Sequence, residues 1–202
     1  MLKVYGDIIS GNCYKVKLLL CQLESPHEWI HIDVVKGEAQ TSEFLARSPN
    51  GKVPLLEVEP GTYLSESNAI LNVLAVGTPL LPEDRLTWGK VLQWQFFEQY
   101  SHEPYIAVAR FIAKYLGLPE DRRAEYESRQ PGGHRALSIM EQQLSLTPFL
   151  TGETYTIADI SLYGYTHVAN EGGFELDRYP AIVDWLKRVR GQPGHVTMEQ
   201  FA

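Results

Sequence analysis

VPLLEVEPGTYLSESNAI, residues Val53 to Ile70, reads as a strand entered through an X-Pro step, a Pro60-Gly61 turn, a second strand, and Ser65-Glu66-Ser67-Asn68 opening an apolar helix. A helix start exposes backbone N–H groups that have no intrahelical partner and carries the positive end of the helix dipole, so it can hold a carboxylate. Ser, Asn and Glu also serve there as ordinary caps. A second cluster adds weight to the ligand reading: Ser10-Gly11-Asn12-Cys13 stands between an apolar strand, Leu2 to Tyr5, and an apolar helix carrying Val16, Leu18, Leu19, Leu20 and Leu23. Two helix starts that follow two strands are where α/β sheets bind ligands. The segment suits a small anionic peptide.

Working outward, the spacing predicts a strand at Leu2–Tyr5, a helix at Cys13–Glu24 stopped by Ser25-Pro26, and a strand at Ile30–Val34 with Ile30, Ile32 and Val34 on one face. A polar stretch from Lys36 and a short helix to Arg47 come next, then a turn at Ser48-Pro49-Asn50-Gly51. Strand Val53–Glu59, strand Thr62–Leu64 and helix Asn68–Val76 complete a βαβ-α-ββα order over residues 1–77. Composition changes at Gly77-Thr-Pro-Leu-Leu-Pro82, giving a linker at 78–84 and an all-helical domain at 85–202. Within it, Arg85–Leu116 is long and aromatic, with Pro104 expected to kink it. Glu120–Arg129 and His134–Leu146 are helical, and Pro131-Gly132-Gly133 between them predicts a break. Pro180 suits the first position of a helix over Ala181–Arg190.

Composition narrows the partners. The formal charge of −7 disfavours nucleic acid and anionic membrane surfaces. No apolar run approaches the roughly 18–20 residues of a membrane span, and Met-Leu-Lys-Val-Tyr reads as a strand rather than a signal segment, so a cytoplasmic location is expected. Cys13 and Cys21, eight residues apart on one helix, stand about 12 Å from each other, too far for a disulfide. Thr156-Ile-Ala-Asp159 is a capping box, with Tyr155 and Ile160 spaced as a hydrophobic staple. Its Asp159 is therefore read as structural, not catalytic.

Taken in order, Ser10-Gly11-Asn12-Cys13, Pro49-Asn50-Gly51-Lys52-Val53-Pro54, Glu66-Ser67-Asn68-Ala69-Ile70, Leu80-Leu81-Pro82, Gln99-Tyr-Ser-His-Glu-Pro104 and Thr156-Ile-Ala-Asp159 resemble the bacterial cytosolic glutathione S-transferase family over nearly the whole chain. The resemblance implies a thioredoxin-like N-terminal domain, an all-helical C-terminal domain, a homodimer, and glutathione as co-substrate with no further cofactor and no metal. It implies a cis Val53-Pro54 bond, with the Val53 main chain pairing with the cysteinyl backbone of glutathione like an added strand. Ser67 matches the position that holds the γ-glutamyl carboxylate, and Glu66 the one that meets the ammonium. Lys52 and Gln40 are expected at the glycine carboxylate.

Activation of the thiol is the chemical core of this reading. A thiol of pKa near 8.5 is only about 3% ionised at pH 7, and lowering that pKa by about two units takes about 2.7 kcal/mol. One charge-assisted hydrogen bond gives about 1.5–3 kcal/mol and a helix start adds about 0.3–1, so a single donor suffices. Ser10-Gly-Asn-Cys13 has the spacing of a Cys-x-x-Cys motif with its first cysteine replaced. Ser10 ranks first as donor, the Asn12 amide second, and Cys13, through mixed disulfides, third. Tyr5 reads as core. For the electrophile, the resemblance implies a pocket between the domains, with Tyr100, His102, Tyr105 and Arg110 as candidates. Three functions stay open: transfer of glutathione to an electrophile, glutathione-dependent disulfide or peroxide reduction, and a non-catalytic binding module.

Overall fold

The computed structural model describes residues 1–201, and they form two compact units, residues 1–77 together with the stretch beginning at Gln192, and residues 78–191. In the first, β1 (Leu2–Gly6), α1 (Gly11–Gln22), β2 (His27–His31), α2 (Ser42–Arg47), β3 (Leu55–Glu59), β4 (Thr62–Ser65) and α3 (Ser67–Ala75) follow in order. The sheet runs β2-β1-β3-β4, with β1 parallel to β2 and the other pairs antiparallel. This is the thioredoxin-like arrangement that the family resemblance implied.

Alternation along the strands builds a core on each face of the sheet. Val4 and Leu56 point to one side and pack with Val16 and Leu20 of α1 and Ile70 of α3. Their neighbours Tyr5 and Leu55 point to the other and pack with Ala39 and with Phe44 of α2. Each aliphatic side chain buried in this way contributes about 1.5–3 kcal/mol. Ile30 and Ile32 pack on the Tyr5 side as their alternation predicted. The strand carrying Ile30 nevertheless begins three residues earlier than read, because β1 pairs Leu2 with His27 and Tyr5 with Ile30.

The stretch from Gln192, assigned by the sequence to the helical domain, lies with the first unit. The fully buried Tyr14 of α1 donates its hydroxyl to the Val196 carbonyl at 2.7 Å. Gly194, at φ +70°, comes so close to α1 that a Cβ there would stand 2.8 Å from the Gln22 Cα.

In the second unit α4 (Arg85–Phe97) is capped by Asp84, whose carboxylate accepts from the Thr87 N–H at 2.9 Å. A π turn at Glu98–His102 leads into α5 (Glu103–Arg110), so the disturbance expected at Pro104 falls one turn earlier and the proline occupies the first turn of α5. The break predicted at Pro131-Gly132-Gly133 does not occur: α6 (Arg123–Leu144) runs through all three. The two glycines serve packing instead. A Cβ on Gly132 would stand 2.2 Å from the Tyr105 ring, and one on Gly133 2.2 Å from the Phe174 ring. α7 (Ile157–Thr166) is buried at every residue, and α8 (Pro180–Arg190) starts on its proline.

The capping box is present. Thr156 accepts at the head of α7 while Asp159 accepts from the Thr156 N–H at 3.0 Å. Asp159 also accepts from the Leu150 N–H and from Trp185 Nε1, at 3.0 and 2.9 Å, so its role is structural. Among the described residues no helix is long and apolar enough to cross a membrane.

Candidate functional site

The loop between β1 and α1 is anchored by Asp7, a buried carboxylate that accepts from the N–H groups of Ile9 at 3.1 Å and Val34 at 2.8 Å. Asp7 thereby fixes the approach to Ser10, whose N–H donates to the Asp7 carbonyl. Ser10 caps α1, its Oγ accepting from the Cys13 N–H at 3.4 Å. Accepting this bond leaves the hydroxyl its proton, so the cap and a donor toward a ligand sulfur are compatible roles.

Cys13 does not share that opening. It has no exposed surface, and its Sγ faces Gly6, where a Cβ would stand 3.0 Å from it. Burial pushes its thiol up to about 12. A neutral thiol in the core is a packing residue rather than a nucleophile, so the third-ranked candidate is withdrawn. Tyr5 is core as read: its hydroxyl donates to the Glu57 carboxylate at 2.9 Å, and burial with that bond pushes the phenol to about 12.

Asn12 stands in the first turn of α1, and its Oδ1 accepts from Lys15 Nζ at 2.7 Å and from Ser67 Oγ at 3.3 Å. The heads of α1 and α3 therefore meet. Glu66, exposed at the N-cap of α3, takes φ +69°, a left-handed conformation costly for a residue with a side chain. It turns the chain sharply from β4 so that Ser67, nearly buried, begins the helix. The Val53-Pro54 bond is cis, immediately before β3. Gln40 donates from Nε2 to the Gly51 carbonyl at 2.8 Å, bracing the turn that presents the exposed Lys52. Gly51 is required there, since at φ +60° a Cβ would stand 2.6 Å from the Gln40 amide nitrogen.

The helical unit separates the four electrophile-pocket candidates. Tyr100 and Tyr105 line a cavity of about 500 Å³ with Phe97, Pro131, Gly132 and Arg135. His102 is fully buried and bonded to Thr166 Oγ1 at 2.9 Å, so it belongs to the core. Arg110 is also buried, held by Glu171 at 2.6 Å and the Tyr115 hydroxyl at 2.7 Å, with Lys114 paired to the same Glu171. These two corrections share one cause: each side chain answers a partner more than sixty residues later, Thr166 for His102 and Glu171 for Arg110.

Sequence reasoning missed Asp7, Lys15 and Arg135. Lys15 carried a signal, a cation among the apolar positions of α1.

Family models for the glutathione S-transferase N-terminal and C-terminal domains match residues 1–75 and 94–193. A crystal structure of a glutathione S-transferase from Pseudomonas fluorescens is 61% identical, covering 98% of each chain with a TM-score of 0.96. A further family member from Pseudomonas fluorescens, solved with two glutathione bound, is 26% identical over 96% of this chain and 89% of its own, with a TM-score of 0.82. The disulfide-bond oxidoreductase YfcG of Escherichia coli is 30% identical over 90% of this chain and 87% of its own. The chain belongs to the glutathione S-transferase family.

Proposed function

We propose that the protein is a glutathione transferase that binds glutathione across the heads of α1 and α3 and directs its thiolate at small electrophiles. The observation that carries this is the meeting of Asn12 and Ser67 at 3.3 Å, which brings two sets of helix-start N–H groups to one place. In this reading the Ser67 hydroxyl and N–H hold the γ-glutamyl carboxylate, Glu66 meets the ammonium, and the Val53 main chain pairs with the cysteinyl backbone. Lys52 answers the glycine carboxylate, with Gln40 acting chiefly through the Gly51 turn. Ser10 donates to the sulfur and lowers its pKa. The proton lost goes to solvent, the thiolate forms a carbon–sulfur bond, and the leaving group departs with the electron pair of the bond that breaks.

Tyr100 and Tyr105, on their cavity, are assigned to the electrophile. The same reading gives a cytoplasmic homodimer acting on foreign electrophiles. Support for the dimer comes from Leu86, Trp88 and Phe96 on α4, large apolar side chains that are 71%, 45% and 70% exposed in the single chain.

Glutathione-dependent disulfide reduction is the second reading, and Asn12 favours it. With its oxygen toward Lys15 and Ser67, the amide presents its NH2 end as the donor for a sulfur, and one relative is named an oxidoreductase. Calorimetric titration with glutathione tests the binding, and an unresponsive protein removes both enzymes. Conjugation of an aromatic halide set against reduction of a glutathione mixed disulfide then decides between them.

A further inference from the structure

Lys15 has no exposed surface, although it sits on a helix whose neighbouring residues Val16, Leu18 and Leu19 form core. Taking an ammonium out of water is expensive, so a position that keeps one has a use for it. Its Nζ reaches Asn12 Oδ1 at 2.7 Å and Ser67 Oγ at 3.5 Å, while Ser67 itself donates to Asn12 at 3.3 Å. Three side chains from the heads of α1 and α3 thus form one closed triangle. A hydroxyl that accepts from an ammonium becomes a stronger donor on its other side, because successive hydrogen bonds polarise one another in a low-dielectric interior. The triangle also fixes the Asn12 amide with its oxygen inward.

We propose that Lys15 is a positioning residue for carboxylate recognition, acting from beneath the site through Ser67. When a carboxylate arrives, the Ser67 hydroxyl turns its proton from Asn12 to the ligand while its oxygen accepts from Lys15, and the buried cation then lies one atom behind the anion. This inference rests on the assignment of Ser67 to the γ-glutamyl carboxylate. Its consequence is specificity: the pocket selects a tripeptide for the charge at that end and not for shape alone.

The test compares glutathione with γ-aminobutyryl-cysteinyl-glycine, which keeps the amine and lacks that carboxylate, by calorimetry on the full chain. The native protein is expected to prefer glutathione by about tenfold or more, Lys15→Arg to keep the preference, and Lys15→Met to reduce it below about threefold. Circular-dichroism melting establishes that each variant is folded. Equal preference in Lys15→Met and the native protein overturns the inference and leaves the proposed function standing. A native protein that binds neither tripeptide removes both. Should Lys15→Met not fold, Lys15→Gln decides, because it removes the charge and keeps a polar end toward Asn12 and Ser67. A preference below about threefold in Lys15→Gln supports the inference, and a preference equal to that of the native protein overturns it.

Discussion

The Ser67 hydroxyl donates to Asn12 Oδ1 across 3.3 Å, joining residues 55 apart in sequence at the heads of two helices. Asn12 is the hub of this contact, since it also takes the Lys15 ammonium. Asn12→Ala removes both bonds, one of them charge-assisted and worth about 1.5–3 kcal/mol. The expected result is a rise of about tenfold or more in the Kd for glutathione, measured by calorimetry. An unchanged Kd would sink the two-helix site.

Ser10→Ala separates capping from chemistry. Losing the cap costs about 1 kcal/mol of stability, visible as a small fall in Tm. Losing a donor to the sulfur raises the pKa of bound glutathione by about one to two units and lowers kcat/KM by about tenfold or more. Thiolate absorbance followed against pH reads the first effect directly. If the melting temperature falls while the bound thiol titrates unchanged, Ser10 is a cap and nothing else.

Asp159 gives the fold a pH dependence of definite sign. Burial is the largest influence and raises its carboxyl to about 6, against the lowering pull of the bonds from Leu150, Thr156 and Trp185. The folded state therefore holds its proton more tightly than the unfolded chain. Asp159 favours the fold most below its unfolded pKa of 3.8, and that contribution is lost as pH rises through about 6. Asp159→Asn removes the titration, so the stability of the native protein relative to this variant should decline between pH 4 and pH 6 in urea unfolding. A flat or rising difference contradicts the assignment.

His167 acts in the opposite direction. Burial lowers its imidazole to about 4 from 6.5, so the unfolded chain binds a proton that the fold refuses. Its contribution is complete above pH 6.5 and is lost as pH falls toward 4. His167→Gln should flatten that part of the native stability profile.

Two helical glycines should respond oppositely to alanine. Gly89 on α4 has open space where a Cβ would go, so Gly89→Ala stabilises by about 0.5–1 kcal/mol through helix propensity. At Gly133 the new methyl would meet the Phe174 ring at 2.2 Å, and an overpacking cost of about 1–3 kcal/mol outweighs the same propensity gain. Thermal melting of the pair measures both signs.

What the sequence made legible was local or periodic. The Thr156–Asp159 box closes within one helical turn, and the strand alternation of Val4 and Tyr5 needs only the pleat. The second strand was misplaced because its alternation continues to Val34 beyond the pairing with β1, whose register ends at His31. Pro131-Gly132-Gly133 looks like a break because propensity sees only the chain, whereas the rings of Tyr105 and Phe174 need the room those glycines leave. His102 and Arg110 were misread for a similar reason: their partners Thr166 and Glu171 lie 64 and 61 residues away. Of the proposed site, the position of Ser10, Asn12, Glu66 and Ser67 at two helix starts was readable. Lys15 showed only as a cation on an apolar helix, since nothing in the sequence says that position 15 faces position 67.

The bond from Tyr14 to Val196 sets an order on biogenesis. The sheet and its helices emerge from the ribosome well before the segment that covers Tyr14, and the entire helical unit is translated in between. During that interval the Tyr14 hydroxyl lacks its partner carbonyl and is answered by water. The early-emerging unit therefore completes this bond only after its neighbour has been made, which ties maturation of the ligand-binding half to translation of the other half.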